Sequence, residues 1–175
     1  MPEESLRAAG LQPVGAYIRM TGPLPALSPS VPDGFRIVPL SEVGELEDRL
    51  AAEQTYADRI GHTLVTADAL QPNVGGTDDA LGRLAYDALG VPAGVCRASL
   101  EGEQLALGTP GVRQSARGTG LRQALLLSVC EAARAVGATR LVLEAWGDTE
   151  AEREEDEALG LKVEAWTPIY AAAQP

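Results

Sequence analysis

Several things are scarce in this chain of 175 residues, and each scarcity narrows its chemistry. Cysteine occurs only at Cys96 and Cys130, both in apolar surroundings, which argues for buried free thiols and against a disulfide framework or a metal site. Positive charge is short: 14 Lys and Arg stand against 25 Asp and Glu, a formal net charge of -11. A general nucleic-acid binder needs a positive face for phosphates, so that class is set aside. No apolar run approaches the roughly 20 residues that span a bilayer, and no membrane partner is expected. The opening "MPEESLRAAGLQP" is acidic at its start and lacks a long apolar core, so it does not read as a secretory signal; a cytoplasmic location is the expectation.

What is present fits an ordinary globular protein: 45% apolar and 22% charged residues, with enough length for a real core. Acids concentrate in "EAWGDTEAEREEDEALG" (144–160), either a solvated helix face or a surface that attracts a cationic substrate. The proline-rich stretch 21–34, "TGPLPALSPSVPDG", reads as a linker between a short N-terminal piece (1–20) and a main body (35–175). Within the body, "FRIVPL" (35–40) predicts a strand, and Ser41 is expected to cap a helix running to about Ala57 with Val43, Leu46 and Leu50 on one face. Residues 58–80 read as a short helix and the loop "PNVGGTDD". The segments 82–88, 93–101 and 104–112 predict an antiparallel meander. A helix follows from Gly120 to Gly137, with Leu121, Leu125, Val129, Ala132 and Val136 as its stripe. Then come a strand at 139–146, a polar helix at about 149–159, and a last strand at 161–171. A strand, crossover helix and strand imply that 104–112 and 139–146 lie parallel.

The segment "LRAAGLQPVGAYIRM" (6–20) resembles "DEALGLKVEAWTPIYA" (156–171): helix end, Gly-Leu, then a strand with an aromatic and Ile. This is either a chance likeness of two corners or the tail of a preceding related domain, adding an edge strand to this sheet or to a partner chain, which makes a homodimer an open expectation.

The most informative stretch is "VRQSARGTGLRQALLLSVC" (112–130). The first N–H groups of a helix lack internal partners and sit at the positive end of its dipole, and glycine lets an anion approach them. Arg117 and Arg122 add charge; the plain alternative is a tight strand-to-helix corner. A P-loop needs Gly-Lys-Ser/Thr, and no lysine is here. A dinucleotide fingerprint needs a third glycine where Gln123 stands.

The run Arg117-Gly118-Thr119-Gly120-Leu121-Arg122, with Val112 at the end of the preceding strand, resembles the signature of the GNAT superfamily of acyl-CoA-dependent N-acetyltransferases. "ALLLSVCEAARAVGATRLVLEAW" is similar to that family's central helix and following strand, and "DEALGLKVEAW" to its closing helix and corner, over about 35–171. The resemblance implies a mixed α/β fold: a mostly antiparallel central sheet flanked by helices, with one splayed parallel strand pair. It implies acetyl transfer from acetyl-CoA to a small molecule or amino group. The main chain from Arg117 through Gly118, Thr119, Gly120 and Leu121 to Arg122 would hold the coenzyme pyrophosphate, and that near Val112 the pantetheine arm.

Departures from the pattern stand beside it. Arg122 occupies a Gly/Ala position. Asp156 occupies the place of the family's acid tyrosine, and is the candidate catalytic residue or a solvated helix residue. Glu103 lies at the far end of the strand that carries a base in relatives, so Thr109 and His62, the only histidine, become candidate substrate-side residues. Pro110 and Gly111 predict a bulge that helps the strand splay. A non-catalytic GNAT-fold module, binding an acyl-CoA or serving assembly, is the competing expectation, and a nucleotide-binding α/β protein a third.

Overall fold

Alternating burial makes the sheet. In β6 (Gln104–Gly108) Leu105 and Leu107 face inward, and in β8 (Arg140–Trp146) Leu141, Leu143 and Ala145 do. These two strands pair in parallel with Leu105 opposite Leu141 and Leu107 opposite Leu143. On the other side of β8 runs β1 (Leu11–Pro23), antiparallel, placing Met20 opposite Leu143 and Ile18 opposite Ala145. The resulting apolar face packs against α3 (Leu121–Ala135), and Leu121, Leu125, Leu126 and Val129 join Ile18, Met20, Leu105 and Leu141 in one core.

The computed structural model describes residues 3–63, 65–72 and 76–172. Two sheets form among them. The larger has the order β5-β6-β8-β1-β9, with β5 at Ala98–Glu101 and β9 at Lys162–Ala172. The smaller is β2-β3-β4-β7, with β2 at Phe35–Pro39, β3 at Arg83–Asp87, β4 at Pro92–Cys96 and β7 at Gly111–Val112. Helices α1 (Glu3–Ala8), α2 (Leu46–Glu53) and α4 (Glu150–Ala158) complete the set. No helix among the described residues is long and apolar enough to cross a membrane.

The expected α/β architecture and the parallel pair are present, and the single meander is corrected. Segment 93–101 breaks at Arg97 and 104–112 breaks at Thr109–Pro110, so each strand starts in one sheet and ends in the other. The last bond between β6 and β8 runs from the Thr109 amide to the Glu144 carbonyl (2.9 Å). Pro110 has no N–H to continue the ladder, and Gly111 and Val112 pair instead with Val95 and Gly94. A fork therefore opens between Thr109 and the end of β8.

Smaller differences have local causes. Ser41 lies in a 3₁₀ turn (Leu40–Glu42), its amide held by the Asp79 carbonyl, and α2 starts later behind Glu45, which makes no side-chain cap. The α3 stripe continues through Cys130 and Ala133, and Val136 is 62% exposed because the helix ends at Ala135 and Val136 is its C-cap, with non-helical backbone (φ -106). Both cysteines are free and buried. A short 3₁₀ turn covers Ala67–Leu70, and part of the expected loop at 72–79 lies outside the described residues.

The N-terminal strand is not at an edge. β1 is bonded on both sides, to β8 and to β9, and Met20 is 1% exposed. The two segments that echo one another in sequence are thus antiparallel neighbours, each entered through a left-handed glycine, Gly10 (φ 78) and Gly160 (φ 96). The proline-rich stretch leaves β1 after Pro23 and stays packed: Leu24 and Pro25 are buried, the Leu24 amide bonds the Thr139 carbonyl, and Arg134 donates to the Pro25 carbonyl.

Candidate functional site

Two glycines turn the chain into α3. Gly118 (φ 76) and Gly120 (φ 91) are both left-handed, a region that side chains with Cβ enter at a cost. The space around them is open: nothing lies within 4 Å of a Cβ built on Gly118, and only Pro32 at 3.9 Å approaches one on Gly120. Thr119 Oγ1 donates to the Ala116 carbonyl (2.7 Å) and accepts from the Leu121 amide (3.3 Å). Among the described residues, the amides of Gly118, Thr119, Gly120, Arg122 and Gln123 have no backbone partner. The corner is chemically fit to receive an anion.

The arginines expected to enrich it are committed elsewhere. Arg117 clamps Asp58 through both terminal nitrogens (2.6 and 2.7 Å), and its Nε donates to the Val112 carbonyl (3.0 Å). That carbonyl, expected to face a pantetheine arm, is already bonded, and Val112 is 1% exposed. Held low by the Arg117 hydrogen bond, the Asp58 carboxyl stays charged and balances the guanidinium.

Arg122 turns away from the corner into the fork. Its guanidinium bonds Asp156 through two nitrogens (2.9 and 2.8 Å), Asp148 (3.0 Å) and Thr109 Oγ1 (3.0 Å). Thr109 Oγ1 also donates to Asp148 Oδ2 (2.8 Å), so the first arm of the fork is tied to the loop just beyond the end of β8. Behind them Arg59 bonds Glu152 (2.7 and 2.5 Å) and reaches Asp148 at 3.4 Å. Thr109 is 0% and Asp156 1% exposed. Burial works against the Arg122 charge, but the hydrogen bonds and charge of Asp156, with Asp148 and Glu152 beyond, more than offset it, and the guanidinium is held protonated. Burial likewise opposes the Glu152 charge, yet the Arg59 bonds and the Thr149 amide bring its carboxyl down to about 2. Asp148 goes the other way, raised by burial that Arg122 counters only in part.

The structure therefore brings Thr109, Arg122 and Asp156 together, but as a buried ion cluster rather than an open slot. The acidic segment 144–160 is not one solvated face: Asp148, Glu152 and Asp156 turn inward, while Glu155 and Glu157 remain at the surface. Sequence reasoning missed Asp148, Glu152 and Arg59. One signal for Glu152 was legible, the Thr149-x-x-Glu152 spacing of a capping box, which forms at the start of α4. His62 is not in the cluster. It stacks on Tyr56 (4.3 Å between centroids) beside a separate cavity across the fork, and burial, then Arg59, lowers its pKa.

No family model matches the sequence, and no curated protein matches it. Solved structures do match the fold. A GCN5-related N-acetyltransferase from Sphaerobacter thermophilus superimposes with a TM-score of 0.69 at 23% identity, over 95% of this chain and 54% of that one. The GCN5-related N-acetyltransferase from Kribbella flavida gives 0.63 at 21%, over 98% and 63%. The tandem GNAT protein from the clavulanic acid biosynthesis pathway gives 0.59 at 15%, over 100% and 60%. The fold is that of the GNAT proteins. The chain spans about half to two thirds of the length of these structures.

On the GNAT fold the two expected sequence departures meet. The Arg at the signature's small-residue position and the Asp at the tyrosine position form one bidentate pair. Neither would be stable alone in so buried a place, because an unpaired charge there is costly, and each supplies the other's partner.

Proposed function

We propose that this chain is a GNAT-fold module whose fork is held shut by its own side chains, serving assembly rather than acetyl transfer. The observation that carries the reading is the Arg122 guanidinium, bonded at once to Thr109 on one arm, Asp148 beyond the other, and Asp156 on α4. A pantetheine arm entering there would have to part the Thr109–Asp148 contact and strip Arg122 of carboxylates. Breaking a buried pair costs about 3–5 kcal/mol. That is roughly two to three and a half orders of magnitude in affinity, enough to turn a micromolar coenzyme site into a millimolar one. Isothermal titration with acetyl-CoA and with free CoA tests this: no saturable heat is expected, and low-micromolar binding of either would overturn it.

A second reading keeps N-acetyl transfer from acetyl-CoA to a small molecule or amino group. It is favoured by the amides of Gly118, Thr119, Gly120, Arg122 and Gln123, which have no backbone partner among the described residues and where a diphosphate fits, and by the cavity across the strands, where an amine could sit. Under this reading the coenzyme displaces Arg122 before reaction, and amine-dependent release of free CoA thiol is the distinguishing assay. Thiol release above the no-amine background would establish it; its absence across a broad amine panel, with folded protein, leaves the closed module.

A further inference from the structure

A cavity of about 290 Å³ lies across β6 and β8 from the ion cluster, walled by α2, the Arg97 crossover and the ends of both strands. None of the cluster residues lines it, so ligand binding here can be tested whether the fork stays closed or opens; under the second reading this is the acceptor cavity, and the inference names the class of molecule it takes. Three of the residues that line it, Glu53, His62 and Arg97, carry hydrogen-bonding groups with no hydrogen bond among the described residues. Glu53 is 4% exposed, yet neither oxygen accepts a hydrogen bond among the described residues, and Oε1 is fully buried. Arg97 Nε lies 3.2 Å from that oxygen but is not oriented to donate to it, and the guanidinium makes no hydrogen bond among the described residues. Burial raises the Glu53 carboxyl, countered by Arg97. Glu144 adds a second carboxylate at the rim, where its Oε1 accepts from Tyr17 and Arg19. The buried Nε2 of His62, in the same wall, also has no hydrogen-bond partner among the described residues.

Buried polar groups are normally satisfied, and Glu53 and Arg97 form an ion pair at 3.2 Å without a hydrogen bond between them, which leaves hydrogen-bonding capacity on both for a third molecule. The sign of that molecule is set by the wall. A simple cation would meet Glu53 and Glu144 but be opposed by Arg97, and a simple anion would meet the reverse. A molecule carrying both signs a few bonds apart matches both. The volume equals about ten waters at ~30 Å³ each, enough for a small amino acid.

We propose that this cavity binds a small zwitterion of the α-amino acid class, its ammonium on Glu53 and Glu144 and its carboxylate on Arg97. The test uses the intact protein without coenzyme, and ligand-observed NMR and calorimetry with glycine, alanine, serine, leucine, glutamate and lysine. Ethylamine and propionate serve as half-ligands of alanine. At least one amino acid should bind with a Kd of about a millimolar or tighter, and each half-ligand at least about tenfold more weakly. Glu53→Gln and Arg97→Gln should each weaken that binding by about tenfold or more. Ala106→Leu provides an uncharged control, because Ala106 lines the cavity and alternation along β6 points its side chain to the face opposite that of the buried Leu105. It should block binding while the melting temperature shows a folded protein. The proposal fails if no amino acid binds at about 10 mM, if ethylamine or propionate binds as well as alanine, or if binding survives all three substitutions.

Discussion

Asp156→Asn removes one negative charge from the fork while keeping the side chain's shape, and the structure sets the size of the effect. Asp156 is 1% exposed and Arg122 7%, so water cannot replace the lost partner. The asparagine can accept only one of the two hydrogen bonds that Asp156 now takes, and turns an amide N–H₂ toward the guanidinium. Asp148 still faces Arg122 at 3.0 Å, so the charge is not wholly orphaned. The loss should therefore fall at the lower end of the ~3–5 kcal/mol for breaking a buried pair, about 3 kcal/mol. For a domain of this size that is a fall of about 10 °C in Tm. Chemical denaturation followed by circular dichroism reads it, with Glu3→Gln as the exposed comparison: Arg7 and Glu3 pair at 2.8 Å with both side chains more than half exposed. That control should move stability by less than about 0.5 kcal/mol. A loss below about 1 kcal/mol for Asp156→Asn would show that the fork is wet and the cluster loose, and the reasoning from burial would be wrong.

The same contacts carry other consequences. Arg122→Met with Asp156→Leu should cost less than the sum of the single changes, by about 1 kcal/mol or more in a double-mutant cycle, because each single change strands a charge. Acid should weaken the fold through Glu152: its folded pKa is about 2 against an ordinary 4.5, so its stabilisation is complete above the ordinary value and is lost as pH falls toward 2. Asp148 has the opposite sign, its raised folded pKa costing stability as pH climbs through the interval between the unfolded and folded values. Glu152→Gln should accordingly flatten the acid limb of a stability–pH curve. Gly111→Ala should destabilise by about 1–3 kcal/mol through overpacking, since the new Cβ would stand 2.4 Å from Thr55 Oγ1 and 2.6 Å from the Tyr56 ring. Gly118→Ala meets nothing within 4 Å and should cost only the ~1–2 kcal/mol of its left-handed backbone, in the same denaturation assay.

The fold was legible where local pattern and tertiary role coincide. Period-two alternation in 104–108 and 140–146, a 3.6-residue stripe after Gly120 and glycines at the helix ends were enough to place the parallel pair and the central helix. The fork was half legible: Pro110 announces the end of a ladder, but only the sheet order shows the strand passing to β4. The interior place of β1 was hidden because strand order depends on contacts across most of the chain, and the echo of 156–171 read as the tail of a preceding domain. At the site, Arg122 and Asp156 each looked like an isolated departure. Their pairing joins residues 34 positions apart through α3 and α4, and no single-sequence rule links them. Asp148 and Arg59 carried no local signal, since a charge on a loop reads as solvated until the fold buries it.

The central claim is that the fork is closed by protein rather than held open for a coenzyme. Crystals grown in the presence of acetyl-CoA measure it directly. The account predicts Arg122 still bonded to Asp148 and Asp156, with Thr109 in contact with Asp148. Ordered thioester density lying between Thr109 and Asp148, with the Arg122 side chain displaced, would contradict it.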